Sequence, residues 1–104
     1  MTPPPAAAPQ PDPVVLRLSG EIDLFNIADV QAELFEALQQ GSPSTLIIDL
    51  TSVTFIDLTA LRVLATASRR FTEVVVLNPS PLVSRVLDLG RLSHLVRTVY
   101  DRPR

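Results

Sequence analysis

Apolar and polar positions change rhythm several times along this chain of 104 residues, and the changes predict strands alternating with helices. Val14, Leu16 and Leu18 alternate with Val15, Arg17 and Ser19, the period of two expected of a strand with one wetter face, and Gly20 is read as its end. From Asn26 to Gln40 the period lengthens. Ile27, Val30, Leu34, Ala37 and Leu38 then share one face opposite Asp29, Glu33 and Glu36, with Asn26 as the expected cap and Gly41 as the stop. Thr45 to Leu50 is a nearly continuous apolar run, as expected of a central strand covered on both faces.

A short apolar bridge from Val53 to Ile56 leads to Asp57, which can cap a second helix running to about Arg70. Glu73 to Leu77 is rich in β-branched valine and reads as a third strand, ended by a turn at Asn78-Pro79. Ser80 and Pro81 provide an N-cap and a first helical residue, and Gly90 a stop. The short helix they frame has Leu82, Val83, Val86 and Leu87 inward. Val96 to Tyr100 completes the set as a last strand. The alternation implies an α/β fold, with a mostly parallel, mixed sheet of about four to five strands and helices packed on it.

Composition narrows the chemistry. Six of the ten prolines fall within residues 1–13, a Pro/Ala-rich stretch unable to bury a core and read as a disordered tail ahead of one domain over residues 14–104. With 46% apolar residues and a net charge of −2, that domain has enough to bury and too little charge to stay unfolded. The absence of cysteine excludes disulfides, thiolate metal sites and thiol nucleophiles, and a single histidine, His94, leaves little for a Ser/His/Asp triad. No run of about 18 apolar residues and no basic-then-apolar leader is present, so a soluble cytoplasmic protein is expected. The acidic balance speaks against nucleic acid.

Three features bear on function. The glycines are too far apart for any phosphate-cradling loop. Asp23, Asp49 and Asp57 are the carboxylates that could converge at strand ends on a hard cation, although Asp49 lies inside an apolar run and Asp57 suits a cap. On a helix starting after Asp57, Ala60, Leu61, Leu64, Ala67, Ser68 and Phe71 form a core face. Leu58, Thr59, Arg62, Val63, Thr66, Arg69 and Arg70 point outward, either as a docking surface or as a solvated face with a stray Leu and Val. Thr59, the second residue of that helix, is either a plain surface threonine or a place where a phosphate meets free N–H groups and the positive helix end.

The blocks LRLSGEID, LIIDLTSVTFIDLTAL and VVVLNPSPLVSRVLDLGRL, in this order and spacing, resemble the STAS domain, particularly the stand-alone anti-sigma factor antagonists of bacteria. The most specific elements are Gly20-x-x-Asp23 and Asp57-x-Thr59, and the resemblance runs from Val14 to about Tyr100. It implies that Thr59 is phosphorylated by a serine/threonine kinase that is itself the anti-sigma factor. The unmodified antagonist binds that kinase and frees the sigma factor, and a phosphatase reverses the modification. It further implies kinase contact at Asp23, with Asp57 chiefly a cap that shapes the local potential; the outward strip of the predicted helix then places Leu58, Arg62, Val63 and Thr66 in the contact surface. Nucleotide and magnesium belong to the kinase, so no cofactor, catalytic residue or metal ligand is expected in this chain. Where the family commonly reads Asp-Ser-Ser-Gly, this chain reads Asp57-Leu58-Thr59-Ala60. These substitutions motivate a second expectation, a STAS subunit docked constitutively on a transporter ATPase or signalling assembly. A third, from the carboxylates alone, is a small enzyme using Asp23 and Asp57.

Overall fold

The computed structural model describes residues 13–39 and 45–101, so the proline-rich segment and the stop expected at Gly41 lie outside the described residues. The chain runs β1 (Val14–Ile22), α1 (Ile27–Gln39), β2 (Thr45–Ile56), α2 (Leu58–Ser68), β3 (Glu73–Leu77), α3 (Pro81–Leu89), a 3-10 turn (Ser93–Leu95) and β4 (Arg97–Val99). The strands lie side by side in chain order, and all three pairings are parallel. The fold is α/β and helix-covered, with a sheet that is parallel among the described residues, in line with the mostly parallel sheet expected. Every strand-to-strand link carries a helix, which returns the chain to the same end of the sheet.

In register, Leu16, Ile48 and Val76 form one row across three strands, and Val14, Leu46 and Val74 the row beside it. These rows, apart from the half-buried Val14 at the edge, pack with Leu34 of α1, Leu61 and Leu64 of α2, and Val83 and Leu87 of α3 in one core. Between those rows on the other face of the sheet, Val15 is exposed and Ile47 only half-buried, so the apolar run of β2 is not covered on both sides as expected. Its continuity reflects β propensity as well as burial. A cavity of about 250 Å³ lies where α2 and the segment Leu92 to Val96 meet the sheet. The buried Ser68 beside it donates its hydroxyl to the carbonyl of Leu64 at 2.7 Å, leaving no polar atom orphaned there.

Several boundaries differ from expectation for local reasons. Gly20 does not end β1. It takes a positive φ of 72° where the β1–β2 register shifts, and the strand continues to Ile22. The bridge after Leu50 is likewise strand, so β2 is one element of 12 residues. α2 ends at Ser68, and Arg69 and Arg70 form the turn that brings Phe71 into the core. Leu82 faces outward instead of inward, at 49% exposure, because it sits about 100° round the helix from the buried Val83.

α3 ends on Gly90, but the left-handed residue is Arg91, at φ 57°. The N–H of Leu92 bonds the carbonyl of Leu87 and that of Arg91 the carbonyl of Asp88, the paired closure that usually places glycine at the left-handed position. The glycine stands one residue earlier because a Cβ at position 90 would come within 2.8 Å of the Leu58 side chain.

Candidate functional site

Parallel strands bring their C-terminal ends to one edge, the usual place for a site in an α/β sheet. Ile22 and Ile56 are register partners at the ends of β1 and β2, so Asp23 and Asp57 leave the sheet side by side. The Asp57 N–H donates to the carbonyl of Ile22 at 3.0 Å, which ties the start of α2 to the end of β1. Asp57 is the N-cap of α2. Its Oδ1 accepts from the Ala60 N–H at 2.6 Å, and its carbonyl accepts from Leu61 at 3.0 Å. A cap of this kind contributes about 1 kcal/mol.

Thr59 is therefore the second residue of α2, exposed at the helix end where N–H groups lack intrahelical acceptors. Arg62 and Thr66 follow on the same exposed strip, and no ion pair engages Arg62 among the described residues. The Thr66 hydroxyl donates back to the carbonyl of Arg62 at 3.0 Å. Val63 and Leu58 are half-buried: Val63 packs on the rim of the core, and Leu58 reaches the C-terminal end of α3. Of the residues named from the sequence around Thr59, Asp57 and Leu58 stand at this edge, while Arg62, Val63 and Thr66 continue along α2 away from it, and Leu58 and Val63 offer only part of their surface.

The Leu58–Gly90 contact is testable. Gly90→Ala is expected to destabilise the domain by no more than about 1 kcal/mol, because the group it meets first is the far end of the half-buried Leu58 side chain, which can turn aside. Most of that loss should vanish in a Leu58→Ala background, which a double-mutant cycle by urea unfolding would measure.

Asp23 does more local work than its carboxylate alone suggested. Its Oδ1 accepts from the N–H groups of Phe25 at 2.9 Å and Asn26 at 3.2 Å, while Asn26 Oδ1 accepts from the Asp23 N–H at 2.9 Å. This reciprocal pair has the form of a capping box closed around the turn that precedes α1, so the Asn26 side chain bonds back into that turn and not forward to the first N–H groups of the helix, as its expected role of cap would require. Asp49 does not join Asp23 and Asp57. It lies within β2 opposite Arg17 and accepts from the hydroxyl and N–H of Thr51 at 2.5 and 2.9 Å. Among the described residues no group of three or more His, Cys, Asp or Glu could share a metal ion. His94 is exposed in the 3-10 turn, far along the chain from this edge.

A STAS domain family model matches residues 4–103. The chain belongs to the STAS domain family. An anti-sigma F factor antagonist of Lysinibacillus sphaericus is 30% identical over 83 residues, covering 76% of this STAS domain chain and 71% of that protein. The anti-sigma factor antagonist SpoIIAA in its unphosphorylated form superposes with a TM-score of 0.74 at 26% identity, covering 86% of this chain and 82% of its own. The phosphorylated form of the Bacillus cell fate determinant SpoIIAA gives 0.64 at 25%, covering 86% and 84%. This STAS domain is thus homologous to anti-sigma factor antagonists, and no helix among its described residues is long and apolar enough to cross a membrane.

Two residues of this edge escaped sequence reasoning. Leu24 and Phe25, inside the capping-box turn, are both strongly exposed. The Asp-x-x-Asn spacing directly after a strand was the available signal for a turn at these two residues.

Proposed function

We propose that this STAS domain is a cytoplasmic anti-sigma factor antagonist that binds an anti-sigma factor serine/threonine kinase and is released when Thr59 is phosphorylated. The observation that carries the reading is an exposed hydroxyl at the second position of a capped helix, beside Asp23 and continuous with the strip of Arg62, Val63 and Thr66. The names of the relatives support it, as does the likeness to both unphosphorylated and phosphorylated SpoIIAA.

The domain is the substrate of the transfer and not its catalyst. The kinase brings ATP and magnesium, and the Thr59 hydroxyl oxygen attacks the γ-phosphorus. The bond to the β,γ-bridging oxygen breaks, ADP leaves, and the hydroxyl proton passes to a base of the kinase. The phosphate then carries about −1.5 to −2 charges. On the free domain it is tolerated: the helix end favours it by about 0.3–1 kcal/mol, and Arg62 stands one turn away for a charge-assisted contact. In the complex it faces the phosphates of the nucleotide that delivered it, with little water to screen them. Release follows from that difference, and a phosphatase resets the switch.

Incubation with an anti-sigma kinase of the same genome and ATP should add one phosphate, located on Thr59 by peptide mass spectrometry. A stoichiometric phosphate on another residue with Thr59 unmodified overturns the assignment.

A further inference from the structure

We infer that Leu24 and Phe25 form an apolar anchor for the kinase, received by an apolar pocket that basic side chains surround. The identity of the partner rests on the function proposed above; the anchor itself rests on exposure, rigidity and charge. Leu24 is 60% exposed and Phe25 94% exposed, in a turn that leaves the sheet beside Asp57 and Thr59. Single exposed apolar residues are ordinary, but here two adjacent ones, one of them aromatic, share a turn that is held fast. The capping box fixes both of its ends, the Asn26 side-chain amide donates to the carbonyl of Glu21 at 2.8 Å, and the Ile27 N–H donates to the carbonyl of Asp23 at 3.0 Å. A surface fixed before binding loses little freedom on binding, and an aromatic residue so presented has the character of a hot spot.

The surrounding charge says what the occupant must carry. From Leu18 to Leu61 the chain has seven Asp or Glu residues and no Arg, Lys or His. Four of the seven, Glu21, Asp23, Asp29 and Asp57, lie in this turn, next to it or at the helix starts that flank it. An acidic or neutral partner would desolvate them unmatched, whereas a basic rim meets them and speeds encounter. At Thr59 the same partner presents nucleotide phosphates instead, so the anchor and the switch occupy adjoining parts of one interface.

The test measures binding of the full chain to each purified anti-sigma kinase of its genome by titration calorimetry. Phe25→Ser should weaken binding at least tenfold with an unchanged melting temperature, while Phe35→Ser, at an exposed phenylalanine on α1, should leave it within twofold. Paired Glu21→Lys and Asp29→Lys substitutions should slow association and flatten its dependence on salt. If the unmodified chain binds none of these kinases, the proposed function fails and the anchor's assignment with it. Normal binding that Phe25→Ser leaves within twofold overturns the anchor alone. Self-association of the chain that Phe25→Ser abolishes would assign the turn to a second copy and overturn the kinase as its occupant.

Discussion

Ile56→Ala is expected to lower the stability of the domain by about 2–5 kcal/mol, and Ile56→Val by about 0.5–1.5 kcal/mol. Ile56 is completely buried as the last residue of β2, in register with Ile22, and borders the cavity under α2. With empty space already beside it, the site gains volume that neighbours cannot readily fill. For a domain of this size the alanine variant corresponds to a fall in melting temperature of roughly 10–30 °C, read by circular dichroism. Leu82→Ala, at an exposed position of the same chemical type, should stay within about 0.5 kcal/mol of the parent. Because Ile56 immediately precedes Asp57, the alanine variant should also bind a partner less well at temperatures where it remains folded. Equal stability of the alanine variant and the parent would contradict the packing described for this strand end.

Periodicity was sufficient for the elements because each buries one face. The helical faces of α1 and α2 and the alternation of β1 are direct consequences of that one-sidedness. It failed where burial and conformation part company. The nearly continuous apolar run of β2 reads as two-sided cover, yet Ile47 between the buried Leu46 and Ile48 is only half-buried. Glycine was read as punctuation at positions 20 and 90. At 20 it serves a register shift inside a strand, and at 90 it makes room for Leu58 while Arg91 takes the left-handed turn. Both are tertiary facts, and neither is encoded in the neighbouring residues.

The edge that carries the site was legible in part for a related reason. Asp57 has the local signature of a cap, and counting from a cap fixes which residues of α2 face outward. Asp23 could be placed beside it only through the register of β1 on β2, which single-sequence patterns do not contain. Leu24 and Phe25 were invisible because apolar residues are assigned inward by default. Their exposure follows from the bonds between Asp23 and Asn26, and these bonds turn an apparent loop into a fixed presentation. Leu58, counted among the outward residues, proved to be shared between surface and packing. Contacts that cross from one helix to another are the part of a site that periodicity cannot apportion.

Thr59→Glu is expected to weaken kinase binding at least a hundredfold while leaving the fold intact or slightly more stable. A carboxylate at the second position of a helix interacts favourably with the helix end by about 0.3–1 kcal/mol, so the melting temperature should hold or rise by a few degrees. In the complex the same carboxylate is desolvated opposite nucleotide phosphates, a penalty of several kcal/mol, and each 1.4 kcal/mol is about tenfold in affinity. A basic rim around Phe25 offers no rescue, because those charges are matched to Glu21, Asp23, Asp29 and Asp57 and not to the transfer point. Thr59→Ala separates charge from loss of the hydroxyl: it should bind as the parent does and, unlike the parent, remain bound after ATP is added. Thr59→Ser should behave as the parent throughout. Opposite signs for folding stability and binding distinguish a charge-driven release from simple damage to α2. Retained binding by Thr59→Glu would mean that the strip running from Thr59 to Thr66 faces away from the partner.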